Sequence, residues 1–225
     1  MAKQNGMRKY KVTITGRMPI IHHADDVLKA DALAAWRKQP ENKKSGTAGD
    51  DRSPAWMWIS YLYTNDSCVV IPSDNIMTSL MEGAALVPTG KRQKTFKAQS
   101  QSGMLVFEPS WPMLVGGAEI PVKRILELIG NQNFEEHQNV ATELGFQLFV
   151  KRAKIGQSKH VRVRPYFEKW SASGTITVWD DQITREVLRQ IIRMAGQYKG
   201  LCDWRPGSPR KPGPFGTFDA DVTQM

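Results

Sequence analysis

Polar and apolar residues alternate one for one near the start of the chain, where Tyr10, Val12 and Ile14 interleave with Lys11, Thr13 and Thr15. That period of two on β-branched residues predicts a strand over KYKVTITG, ending at Gly16. After a turn at Pro19 the spacing lengthens, and Val27, Leu33 and Trp36 predict a helix. Residues 39–53 change to Lys, Asn, Gly, Asp and Ser with one Pro and read as a loop. WMWISYLYTNDSCVVIPSDN reads as two short strands around the polar turn Thr64 to Ser67. Ser73 then offers an N-cap with Asp74 at the positive helix end, while Ile76, Met77, Leu80, Met81 and Ala84 keep the spacing of one buried helical face.

Residues 90–103, GKRQKTFKAQSQSG, read as a basic, glutamine-rich loop before a short strand MLVF. The chain from there to about residue 145 is mixed and reads as an insertion. In VRVRPYFEKWSASGTITVWD, Val161 and Val163 point one way and Arg162 and Arg164 the other, with a turn near Ser171 to Gly174 and a returning strand. DQITREVLRQIIRMAGQYKG has the clearest helical period, with Val187, Leu188, Ile191, Ile192 and Ala195 as its buried face and Gly200 as its stop. Arg185, Arg189 and Arg193 form a basic stripe beside that face, and FGTFDADV closes the chain as a strand. Strand, helix, strands, strand, helix, strand predicts an α+β fold on the ferredoxin-like plan with inserted loops and helices. The expectation is one domain over 1–225, with its core in 8–89 and 146–225 and the insertion at 90–145.

Composition narrows the class. Hydrophobic residues at 40% and charged residues at 24% are those of a folded globular protein. The net charge of +9 favours a polyanionic partner, since each neutralised phosphate releases condensed counterions. Lys151, Arg152, Lys154, Lys159, Arg162 and Arg164 fall in one stretch without an acid. Cys68 and Cys202 have neither disulfide-framework nor zinc-ligand spacing. MAKQNGMRKYK lacks the apolar run of a secretory signal, and no stretch approaches the ~20 apolar residues of a membrane span, so a cytoplasmic protein without a membrane partner is expected.

The candidate chemistry is binding. The loop GLCDWRPGSPRKPGPFGTF carries Trp204, Arg205, Arg210 and Lys211, and Pro206, Pro209, Pro212 and Pro214 lower the entropy of holding its shape. Trp204, Phe96, Tyr166 and Phe167 are candidate surfaces for base stacking, at ~1–3 kcal/mol each. HHADD is the one place with acid–base or metal chemistry: His22, His23, Asp25 and Asp26. Adjacent histidines on extended chain point to opposite sides, and carboxylates ahead of a helix favour its N-terminus with no catalysis implied, so capping is preferred. No phosphate-loop, dinucleotide, nucleophile-elbow or HExxH motif occurs. No cofactor, metal or catalytic residue is assigned.

Four anchors, ITGRMPIIHHADD, VVIPSDNIMTSLMEGA, RVRPYFEKW and AGQYKGLCDWRPGSPRKPGPFGTFDADV, occur in this order. The chain in this respect resembles a family encoded by phages and other mobile elements, with a PLLMHN-like turn, an IPADN-like helix start and a GLGDWRP…GRF ending. That family's fold is similar to the RAMP superfamily, the modified RRM-like fold of the CRISPR backbone subunits that coat guide RNA. His23 stands where the pattern has Asn, which weakens a polar role there. Cys202 stands where Gly is usual, so its backbone is expected not to need a Gly-only conformation.

The resemblance implies a bacterial-host cytoplasmic protein that binds single-stranded RNA or DNA with little sequence preference and assembles side by side along it. The expected phosphate contacts are Lys91, Arg92, Lys94, Lys151, Arg152, Lys154, Arg162, Arg164, Arg210 and Lys211, with Trp204 and Arg205 beside them. The alternatives are a metal-dependent endoribonuclease using Asp25 or Asp26, and a CRISPR-subunit mimic that interferes with an effector complex.

Overall fold

The alternating N-terminal segment forms β1 (Arg8–Gly16), with Tyr10, Val12 and Ile14 buried on one face. The computed structural model describes residues 6–43, 53–91, 93–155 and 158–225, and the side chains of 27–29 and 152–160 lie outside that description. After β1 come β2 (Ile20–Ile21), α1 (Val27–Lys38), β3 (Val70–Pro72), α2 (Ser73–Ala84), α3 (Lys97–Gly103), β4 (Met104–Leu105), β5 (Ser110–Val115) and β6 (Ala118–Glu119). Then follow α4 (Val122–Leu126), α5 (Phe134–Glu143), β7 (Gln147–Ile155), β8 (Ser158–Phe167), β9 (Ser171–Val178), α6 (Arg185–Met194) and β10 (Phe218–Gln224). The architecture is mixed α+β with antiparallel sheets.

The chain divides into two compact units. The first takes residues 1–20, 70–119 and 169–225, and the second takes 21–69 and 120–168. Segment 90–145 is divided between the two units, and its strand β5 is part of the first unit's sheet.

The first unit's sheet runs β10-β1-β9-β5-β3, with β4 also on β9 and β6 on β5. Ile76 and Leu80 of α2 and Ile192 of α6 meet Val12, Ile14 and Ile176 of the sheet around a cavity of about 10 Å³. Gly174 is required in β9, because a Cβ there would overlap the Trp111 indole that lies across it. Strand therefore continues through the expected turn at 171–174, and β9 pairs with β1, β4 and β5 and is not the return of β8. Helix α2 begins one residue early, with Pro72 at the cap position and no side-chain cap from Ser73. KAQSQS contains no helix breaker, and α3 forms where a loop was expected, ending at Gly103.

The second unit's sheet runs β2-β8-β7, β2 lying where the chain passes from the first unit into the second. Its core is aromatic. Trp58 packs on Phe146 at 5.6 Å, Phe146 on Phe167 at 5.1 Å, and Phe167 on His22 at 4.9 Å between ring centroids. The first of the two strands expected over 56–72 is instead a 3-10 helix, Ala55–Tyr61, which buries Trp56 and Ile59 three residues apart. Trp58 Nε1 donates to His137 Nδ1 at 3.0 Å, so His137 is a buried bracket of this core. Among the described residues no helix is long and apolar enough to cross a membrane.

Candidate nucleic-acid interface

In the second unit, the antiparallel register of β7 and β8 sets Gln147 opposite Tyr166, Phe149 opposite Arg164 and Lys151 opposite Arg162. Alternate residues share a face, so these six stand on one side of the hairpin, and Leu148, Val150, Val163 and Pro165 belong to the other. Lys151 against Arg162 is a like-charge pair, which a sheet selected for stability alone disfavours. The Phe149 and Tyr166 rings are stacked, 5.9 Å apart and 20° from parallel. Lys151 is exposed, and Arg162, Arg164, Phe149 and Tyr166 are half-buried.

The charge concentration acts on the neighbouring ionisable groups. Burial, then Arg162, push the Arg164 guanidinium below its ordinary range. His23 is pushed down to about 4, first by burial, then by Arg164 and Arg162, against an opposing pull from Asp25. It is therefore neutral at physiological pH. Its ring meets Tyr61 edge-on at 4.8 Å, and its carbonyl accepts from the Tyr63 hydroxyl at 2.9 Å. His22 points into the core, accepts from the Tyr63 backbone N–H at 3.3 Å, and is pushed down to about 3 by burial. The two histidines thus part as extended chain requires. Among the described residues no three His, Cys, Asp or Glu side chains are grouped to hold a metal ion.

The first unit holds the other candidates. Lys91 and Lys94 are exposed on a turn closed by the Lys94 N–H on the Lys91 carbonyl. Arg210 and Lys211 are exposed on the proline loop, as expected of its tip. Arg205 has a different use: its guanidinium meets both Glu82 carboxylate oxygens at 2.6 and 3.0 Å and donates to the Lys199 carbonyl at 3.1 Å. Trp204 is half-buried against Phe215, 5.4 Å away, with φ of 48°. Together with Leu201 N–H on the Gly216 carbonyl, these contacts make the loop a braced corner with a cationic tip. Cys202 has φ of 60°, in the left-handed region that glycine favours but a single non-glycine residue can occupy, so the position carries a conformation that glycine would adopt at lower cost without being restricted to it. Burial pushes its thiol up to about 12, which keeps it protonated.

Phe96 and Phe167 belong to the cores, at 7% and 0% exposure, and offer no stacking surface. The basic stripe on α6 is partly structural, since Arg185 and Arg189 both donate to the Val222 carbonyl of β10. Arg92 and the side chains of Arg152 and Lys154 lie outside the described residues. Phe149 was missed by sequence reasoning, although QLFVK carries it two positions before Lys151, on the same face of a strand. No protein-family model matches the chain, and no curated protein matches it either.

Proposed function

We propose that this protein binds single-stranded nucleic acid on the β7–β8 face with little sequence preference. Lys151, Arg162 and Arg164 hold phosphates, and Phe149 and Tyr166 offer stacking platforms for bases. The carrying observation is the register, which lines up like charges that repel one another beside a stacked aromatic pair. An anion between those charges turns their mutual cost into binding. Lys91, Lys94, Arg210 and Lys211 are further phosphate contacts. Arg205, engaged by Glu82, braces its loop.

The strand order supports the finer fold reading. β10-β1-β9-β5, with α2 between β1 and β5 in sequence and α6 between β9 and β10, is the order of a ferredoxin-like or RRM-like sheet. The second unit is then an elaboration of it. A RAMP-type identity, a phage or mobile-element role in a bacterial cytoplasm and assembly along the strand rest on the sequence resemblance. The reading is of a binding protein, with no catalytic step.

Fluorescence anisotropy with labelled oligouridylate, oligothymidylate and a duplex tests it. Single strands are expected to bind better than duplex, with a log–log salt slope near −5 for the seven phosphate contacts at ~0.7 each. Absence of single-strand binding at about 50 mM salt overturns the proposal.

A further inference from the structure

We infer that the outer edge of β10, flanked by the arginines of α6, docks an extended acidic segment of a partner protein, which joins the sheet as an antiparallel strand. The site lies wholly within the first unit and does not depend on the strand-binding reading above.

β10 is the end strand of its sheet. Its bonding phase follows from two hydrogen bonds at the ends of the ladder, the Met225 N–H on the Lys9 carbonyl and the Arg17 N–H on the Thr217 carbonyl. Odd-numbered residues of β10 therefore exchange bonds with β1, and Phe218, Ala220, Val222 and Gln224 turn their main-chain polar groups to the outer edge. The Phe218 end is closed, because Gly196 lies so near that a Cβ there would overlap the Phe218 carbonyl. From Ala220 to Gln224 the edge is met by side chains. Arg185 and Arg189 donate to the Val222 carbonyl at 3.3 and 3.2 Å, and Arg193 stands exposed one turn further along α6.

Two guanidiniums thus share one neutral acceptor and repel each other. Glu186, exposed on the same helix, acts on both of them. A carboxylate is a stronger acceptor than a carbonyl, so a strand that brings acids draws the arginines onto itself and frees Val222 for the new ladder. A neutral strand has to displace them without replacement. The arginines therefore guard the edge against indiscriminate pairing and admit one chemistry.

Side-chain direction sets the pattern of that segment. Ala220 and Val222 pair with buried Ile14 and Val12 and lie on the helix side of the sheet, whereas Asp219 and Asp221 lie on the other side. Every second side chain of an added strand stands on the arginine side, and those between stand beside the two aspartates. The segment that fits carries Glu or Asp at alternate positions with uncharged or basic residues between them. Main-chain bonds supply affinity and the alternate acids specificity.

The test titrates the full chain with a fluorescent peptide of about seven residues, Thr and Glu alternating, long enough to span Ala220 to Gln224. The same peptide with Lys in place of Glu should bind about tenfold or more weakly, the worth of one charge-assisted hydrogen bond. N-methylation of the Glu residues removes the N–H groups that face β10 and should cost as much; N-methylation of the inner Thr residues, whose N–H groups face away, should leave affinity unchanged. Arg185→Gln combined with Arg189→Gln should abolish the preference for Glu over Lys, and the methylated pair tests the wild type should that variant fold poorly. Saturating oligothymidylate should leave the peptide bound. No binding of the Glu peptide, equal binding of the Glu and Lys peptides or of the two methylated peptides, or a preference unchanged in the folded variant overturns the inference. Release by oligothymidylate also overturns it, since the arginine stripe would then belong to nucleic acid.

Discussion

Arg164 occupies a position that packing alone would give to a neutral side chain: half-buried, on the same strand face as Arg162, and close enough to add to the burial that holds the His23 pKa down. Departures from local stability rules concentrate where a surface has a task, and on the proposed reading that task is to hold an anion. Arg164→Gln is expected to raise the His23 pKa from about 4, read by NMR titration of the ring, while leaving it below 6.5 because burial is the larger cause. An unchanged titration would place Arg164 outside the cluster. His22 makes a pH prediction of its own. Its folded pKa is lowered to about 3 from 6.5, so its stabilising contribution is complete above 6.5. As pH falls below 6.5 the unfolded chain takes up a proton that the folded chain refuses, and stability is lost progressively toward pH 3. Melts followed by circular dichroism should show that loss, on the order of a few kcal/mol, and His22→Phe should flatten it to the smaller His23 contribution. In the first unit, Glu82→Gln should destabilise by about 2–3 kcal/mol in urea titrations, since it weakens the bidentate partner of a largely buried guanidinium.

Elements with one clean period could be read directly from the chain. β1, α6 and β10 lie where alternation or three-four spacing puts them, because each buries a single face. The errors fall where the deciding partner is distant in sequence. Nothing local in WMWISY distinguishes a strand from the 3-10 turn that buries Trp56 and Ile59 in the second unit's core. Nothing in SASG reveals that Trp111, from the middle of the chain, lies over Gly174 and so holds strand through the expected turn. The pairing of β7 with β8 was equally hidden, and with it Phe149, although the alternation of Arg162 and Arg164 against Val161 and Val163 was legible. Gly174→Ala tests the β9 reading. Overpacking against the indole should cost about 1–3 kcal/mol by chemical denaturation. Combined with Trp111→Leu, the pair should cost less than the sum of the single changes. Additive effects would mean that the two residues do not meet.

For the molecule as a whole, the net charge of +9 favours a polyanionic partner without saying which surface would serve it. Candidate cations stand in both units: Lys91, Lys94, Arg210 and Lys211 in the first, Lys151, Arg162 and Arg164 in the second. What separates the two sets is the geometry of the aromatic pair beside each: Phe149 and Tyr166 beside the second are stacked, 20° from parallel, whereas Trp204 and Phe215 in the first are tilted by 55°. Replacing Arg162 and Arg164 together by Ala should weaken every single-stranded sequence alike and reduce the salt slope by about 1.4, two contacts' worth. Replacing Arg210 and Lys211 should reduce the slope without removing stacking. Ultraviolet crosslinking of the full chain to an oligouridylate strand, with adducts located by mass spectrometry, reads out the surface that bases touch. Adducts at Phe149 or Tyr166 are the expected result; adducts confined to the first unit, or none while the strand is bound, would contradict the β7–β8 face as the site of binding.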